Sequence, residues 1–237
     1  MDSPAKDPAK IQSMFSTIAR RYDLLNRVLS LGIDRRWRTF AVSQLPAVSK
    51  GVFLDVATGT CDVALEIIRR QGPGAKVVGV DFSEGMLELG REKVRKSGNQ
   101  ERIEVRFADA TTLPFEDNSF DASIIAFGIR NVRDYRKGIS EMGRVVKSGG
   151  KVVILEFASV QSGFFRPLYV FYITRILPFI GEIISGKKGA YQYLPDSMLN
   201  FPPPEKLKEA MEESGLHDVH YHTLSFGITT VHVGTVP

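Results

Sequence analysis

The sequence predicts an α/β fold: a doubly wound, Rossmann-like sheet of seven strands, preceded by a helical extension. Three observations carry this. From residue 51 onward, short apolar runs alternate with helical patterns, the rhythm of successive βα units. Five runs (VFLDVA, KVVGVD, IEVRFA, FDASIIAF and GKVVILEF) are nearly continuous and rich in Val, Ile and Phe, as parallel strands buried on both faces are. The rhythm then breaks. HDVHYHTLSF and GITTVHVGTV read as two strands joined by a short turn, which closes the sheet with an antiparallel hairpin.

The elements follow in order. The first fifty residues are helical in pattern and form a cap before the first strand. Residues 62–70, 83–97 and 135–146 read as the helices between strands, with Ser83 a plausible N-cap and Glu84 in the first turn. Residues 163–185 are the most apolar helical stretch. Arg166, Pro167, Arg175 and Pro178 interrupt it, so it falls short of a transmembrane span. It opens a helical insertion over residues 163–200. A helix over residues 204–214 stops at Gly215, a helix-ending signal. All 237 residues are expected to form one domain.

Composition excludes little and directs a little. Apolar residues are 43% and charged residues 24%, ordinary for a soluble globular chain. The net charge of +4 has a lysine-rich surface as its plain reading and an anionic membrane surface as its alternative. There is no zinc-ligand spacing and no basic run with interleaved aromatics, so nucleic acid ranks last among partners. Cys61 is the single cysteine, which allows no internal disulfide and suits a reducing compartment. MDSPAKDPAK carries no apolar run, so the expectation is a cytoplasmic protein, with peripheral contact at the inner face of a membrane as a refinement.

The ligand signals sit at strand ends. Strand one runs from Asp55 into the turn of LDVATGTCD, where Gly59 lets backbone approach a ligand. Only Gly59 of a GxGxxG pattern is in place, which argues against a pyrophosphate ligand. Strand two ends at Asp81, where an acid can accept two hydrogen bonds from ribose hydroxyls; capping the next helix is the alternative. After strand three, Asp109 and Ala110 can offer a carboxylate and a backbone amide to an adenine edge; a loop aspartate bonding its own backbone is the alternative. Each signal is weak alone. Their order along one sheet edge points to a ligand crevice.

These residues resemble class I S-adenosylmethionine methyltransferases, whose sheet also ends in a hairpin after five βα units. The resemblance narrows further. MFSTIARRYDLLNRVLSLGIDRRWR, residues 14–38, is similar to the N-terminal signature of the ubiquinone/menaquinone biosynthesis methyltransferase family. FGIRNVRDYRKGISEMGRVVKSGGKVVILEF resembles its second signature, and YQYLPDSMLNFPPPEKLKEAMEESG is also similar. The likeness covers nearly the whole chain from about Ile11 to Gly234. It implies S-adenosylmethionine as cofactor, S-adenosylhomocysteine as product, and cofactor positions at Thr60, Asp81, Asp109, Ala110 and Ala126. Some relatives carry Ser at this last position. The implied acceptor is a polyprenylated quinol: demethylmenaquinol, or 2-polyprenyl-6-methoxy-1,4-benzoquinol on the way to ubiquinone. A homo-oligomer is compatible with both.

The chemistry needs a ring carbon made nucleophilic by loss of a phenolic proton, aligned for in-line transfer. FGIRNV follows strand four, where an acceptor is expected. Arg130 can stabilise a developing phenolate, and its guanidinium is too weak an acid to serve as the base. A water oriented by Arg130 and Asn131 can take the proton. Tyr22 can close the pocket or bond a quinol oxygen. The plain alternatives are an ion pair from Arg130 to Asp134 or Asp23, and helix packing for Tyr22. The four histidines near the C-terminus lack metal spacing and read as surface or packing residues. FFRPLYVFYITRILPFIGEII can line a groove for an isoprenoid tail or simply cover the sheet. A nicotinamide-dependent reductase is disfavoured by the missing glycines and the hairpin, and a vestigial binding module by the retained Asp81, Arg130 and Asn131. The naphthoquinol is preferred, since Ala126 removes a hydroxyl that could bond a methoxy oxygen.

Overall fold

The computed structural model describes residues 23–158, 166–185 and 193–237; most of the expected N-terminal cap, including Tyr22, lies outside them. Seven strands form one sheet: β1 (Val52–Val56), β2 (Lys76–Asp81), β3 (Ile103–Phe107), β4 (Phe120–Ala126), β5 (Val146–Phe157), β6 (His217–Leu224) and β7 (Thr229–Thr235). Their spatial order is β3-β2-β1-β4-β5-β7-β6. The first five are parallel, and β7 runs antiparallel between β5 and β6. This is the expected seven-stranded sheet with its terminal hairpin. Strand order reverses between β1 and β4, and the carboxyl ends of these strands part to open a crevice.

Alternation along β1 divides the core between two faces. Phe53 packs with Trp37, Ala41 and Ile67 on one side. Leu54 and Val56 pack with Ile125, Ile139, Met142 and Met211 on the other. Helices α1 (Asp34–Ser43), α2 (Asp62–Arg70) and α3 (Glu84–Lys96) supply apolar stripes such as Val63, Ala64, Ile67 and Ile68 of α2. Ser83 does occupy the N-cap of α3, but its side chain makes no capping bond. Asp134 caps α4 (Tyr135–Arg144) by accepting from the Lys137 amide at 3.0 Å. The helix read to residue 146 stops at Arg144, because Val146 is taken by β5.

The apolar stretch read as one helix is three pieces. α5 (Arg166–Phe171) passes into a π-helical turn, Tyr172–Ile176, and then α6 (Leu177–Ser185). Pro178 explains the break: its ring crowds the carbonyl one turn back, at Thr174, and it has no amide to donate. α7 (Tyr193–Leu199) and α8 (Pro204–Glu213) follow. Gly215, at φ +92°, ends α8 as expected, its amide bonding the Glu212 carbonyl at 3.0 Å. No helix among the described residues is long and apolar enough to cross a membrane.

Candidate active site

The β1–α2 turn is a run of unusual backbone. Ala57, Gly59 and Cys61 all have positive φ, at 52°, 55° and 66°, a region costly for residues with a Cβ. Asp55 braces the turn from behind. Its Oδ2 accepts from Thr58 Oγ1 at 2.5 Å and from the Ala64 amide at 3.1 Å, which ties β1 to the start of α2. Asp55 is 1% exposed, and burial pushes its carboxyl up to about 7. Asp81, at the end of β2, holds the turn from the side by accepting from the Gly59 amide at 2.9 Å, while its other oxygen accepts from the Ser83 amide at 2.9 Å. Burial pushes Asp81 up to about 6. At the end of β4, Phe127 also has positive φ, 57°. Gly128 follows because the two turns touch: a Cβ there would lie 2.6 Å from the Ala57 Cβ.

Between these turns lies a partly open cleft at the carboxyl ends of β1, β2, β3 and β4, the place where open α/β sheets bind ligands. Of the expected residues, Gly59, Asp81, Asp109, Ala110, Ala126 and Asn131 line it together. Phe82, Met86 and Arg133 line it as well, and none of these was singled out from sequence. Phe82 simply follows Asp81 in GVDFS, and Arg133 follows FGIRNV, so adjacency was the available signal. The alternatives for the two acids turn out to coexist with the ligand reading. Asp81 does serve the start of α3, and Asp109 Oδ1 accepts from Thr111 N and Oγ1 at 2.7 and 2.8 Å. Each carboxylate keeps lone pairs for a ligand donor.

Asp55, Thr60 and Arg130 are not in the lining. Thr60 Oγ1 donates to Asp23 at 2.6 Å and accepts from Lys93 at 2.9 Å; Lys93 also binds Asp23 and Asp62. The N-terminal segment is thereby tied to the β1–α2 turn at Asp23. Tyr22 lies outside the described residues. The turn Ile129–Asn131 sends its residues three ways: Ile129 is fully buried, Asn131 lines the cleft, and Arg130 reaches the end of β5. There Arg130 Nη1 donates to Glu156 Oε1 and to the Phe127 carbonyl, both at 2.6 Å. The expected ion-pair partners are otherwise engaged, Asp134 as a helix cap and Asp23 with Thr60 and Lys93. Glu156 is 0% exposed and Arg130 6%. Phe157 lies 5.4 Å from the guanidinium and joins Phe127 and Trp37 in an aromatic cluster with ring centroids 4.6–6.1 Å apart. Burial pushes the Cys61 thiol up to about 12, which fits its reading as a packing residue. His232 is buried with Nε2 against the Pro204 carbonyl at 3.0 Å, and no metal cluster occurs among the described residues.

Residues 4–236 match the ubiE/COQ5 methyltransferase family. The chain belongs to this family. A Geobacter sp. (strain M21) member named ubiquinone/menaquinone biosynthesis C-methyltransferase UbiE is 52% identical over 226 residues, 95% of this chain and 96% of that one. A Thermus thermophilus member named demethylmenaquinone methyltransferase is 49% identical over 226 residues, 94% of this chain and 100% of its own. An Aquifex aeolicus structure described as a SAM-dependent methyltransferase superposes with a TM-score of 0.63 at 18% identity, over 84% of this chain and 89% of that one; at that identity the likeness establishes the fold. Membership in the ubiE/COQ5 family bears out the resemblance carried by the two signatures, and makes the chain a C-methyltransferase.

Proposed function

We propose that this C-methyltransferase takes its methyl group from S-adenosylmethionine and delivers it to a ring carbon of demethylmenaquinol. One observation carries the reading: Phe127 belongs both to the cleft of Gly59, Asp81 and Asp109 and to the aromatic cluster beside Arg130. The cleft and the aromatic cluster thus share one residue, which suits direct transfer between two neighbouring ligands.

The cleft residues suit the cofactor. Asp81 accepts the Gly59, Ser83 and Phe82 amides, and its carboxylate at the cleft wall keeps acceptor capacity for a ribose hydroxyl. Phe82 offers a ring face to the adenine, and Asp109 with the Ala110 amide its polar edge. Gly59, at positive φ, brings backbone to the ligand. When bound, S-adenosylmethionine supplies a methyl carbon made electrophilic by a sulfonium. The protein must make the acceptor carbon nucleophilic. Arg130 stabilises the phenolate that forms as the quinol oxygen loses its proton, and a water beside Asn131 receives that proton. The burial of Arg130 and Glu156 strengthens this interaction. Leu24, Val28, Leu31 and Ile33, in the described part of the cap, are exposed, which suits peripheral contact with a membrane.

The test is methyl transfer by the purified protein to naphthoquinol and methoxybenzoquinol acceptors carrying the same short tail. The naphthoquinol is expected to give the higher kcat/KM. A preference for the benzoquinol overturns the ring assignment, and transfer to neither overturns the quinol reading.

A further inference from the structure

We propose that Tyr169 is a substrate-contacting residue whose hydroxyl, with Arg130 Nε, holds the quinol oxygen next to the methylated carbon, and that Glu156 is the positioning residue for the guanidinium. The proposal rests on the quinol reading above and adds two residues to it.

It starts from two polar atoms that folding leaves unpaired. Arg130 Nε and Tyr169 Oη are both buried and neither has a hydrogen-bond partner. An orphaned buried donor typically costs about 1–3 kcal/mol, and such groups are rare in native proteins. Two of them in one neighbourhood call for a common explanation. The neighbourhood is shared: Phe157 stacks under the Arg130 guanidinium and packs, with Tyr169, on the apolar cluster of Leu25, Ile173, Leu177 and Met198. The charges of Arg130 and Glu156 both reach the Tyr169 hydroxyl.

The chemistry of the orphans defines the missing atom. Arg Nε–H only donates. Burial holds the Tyr169 hydroxyl far above neutral pH, so it remains a donor too. The Tyr169 hydroxyl can donate or accept, but Arg130 Nε can only donate, so an atom that pairs with both must be an acceptor, which excludes an ammonium or amide nitrogen and selects an oxygen with two lone pairs. A phenol oxygen provides them, and it accepts more strongly as it becomes a phenolate. Glu156 consumes the Nη1 side of the guanidinium, together with the Phe127 carbonyl. It also accepts from the Arg130 amide at 3.3 Å and the Phe157 amide at 2.8 Å, which locks the turn carrying Arg130. The guanidinium therefore has a fixed direction and a free edge. The donor pair acts where charge develops, at the oxygen, and leaves the ring carbon open to the cleft across Phe127.

The test is Tyr169→Phe, which deletes one hydroxyl and keeps the ring. With a demethylmenaquinol that the parent enzyme methylates, kcat is expected to fall ten- to a hundredfold. S-adenosylhomocysteine affinity should stay within twofold and the thermal midpoint should be unchanged or higher, because an unpaired hydroxyl has left the interior. A geranylated 1-naphthol and the geranylated naphthalene lacking the hydroxyl supply the second readout. The parent protein should prefer the naphthol, and Tyr169→Phe should lose at least tenfold of that preference. Unchanged kcat and unchanged discrimination overturn the proposal, as they would if only an ordered water joined the two donors. Loss of activity with a parallel loss of cofactor affinity and thermal midpoint overturns it in favour of a packing role. If the parent protein methylates no quinol, the reading of the function fails by itself. The naphthol preference of parent and variant then still decides the role of Tyr169.

Discussion

At Asp81 one carboxylate does two jobs, and pH separates them. It holds the Gly59 and Ser83 amides, and in the proposed complex it would also accept ribose hydroxyls. Burial raises it from 3.8 to about 6, as it raises Asp55 to about 7. Raised acids favour the fold in their protonated form. Their contribution is full below about pH 4 and is lost as pH rises through 6 to 7. The ligand wants the opposite state, since the ionised carboxylate is the better acceptor. S-adenosylhomocysteine affinity should therefore rise between pH 5 and 7 and level off above, as calorimetry across that range would read. Asp81→Asn should weaken binding by about 1.5–3 kcal/mol at pH 7.5 and flatten the pH dependence; a variant that keeps the slope would place the titrating group elsewhere. Asp81 was legible because a strand that ends in an acid has few uses for it. Glu156 was not. It is the last polar residue of an apolar run, GKVVILEF, and its value depends on Arg130, 26 residues away in the chain. Tyr169 was hidden the same way, as one more aromatic in a greasy stretch.

The pairing of β4 with β5 explains why FGIRNV works as an element rather than as a list of side chains. Ala126 lies opposite Leu155, so the turn leaving β4 arrives beside Glu156. The Arg130–Glu156 pair then staples that turn to the neighbouring strand at 2.6 Å. Both groups are buried, so removing one leaves the other uncompensated, at a cost of roughly 3–5 kcal/mol. Glu156→Gln is expected to destabilise the protein by that order in urea unfolding, and Arg130→Met combined with Glu156→Gln should recover a large part of it. Additive losses in the double variant would show that the pair is not coupled. An alanine at Arg130 alone would thus mix lost stability with any loss of the proposed phenolate contact, and Tyr169 is the cleaner probe of the proposed acceptor site. Sequence periodicity located these elements because each strand is a continuous apolar run. It missed the division of α5 and α6, because a π turn keeps the apolar pattern and only Pro178 marks the change.

Across the molecule, the helical segment at residues 23–29 meets the end of β5 through an apolar cluster. Leu25 from the helical segment at residues 23–29, Ile173 and Leu177 from the α5–α6 stretch, and Met198 from α7 form one buried cluster. Leu29, Phe157, Tyr169 and Tyr172 pack against it, and the Tyr172 hydroxyl donates to the Leu29 carbonyl at 2.7 Å. This cluster begins at Phe157, beside Arg130, and is built from segments that are not adjacent in sequence, so it could not be read as a unit from the chain. The same helical segments carry exposed Phe171, Ile176, Phe179 and Leu199, along which an isoprenoid tail from a ring at the proposed acceptor site would run. Its binding would then come from burial, at about 0.8 kcal/mol per methylene removed from water. Quinols with one, two, three and four isoprene units, assayed under identical detergent conditions, should show KM falling stepwise and then levelling once the groove is filled, with kcat nearly constant. The constancy of kcat follows because the tail is equally buried in the ground and transition states, so it contributes uniform binding. A KM indifferent to tail length would mean that the cluster only packs the cap onto the sheet. A rise in kcat with length would mean instead that tail burial is used to align the ring against the cleft.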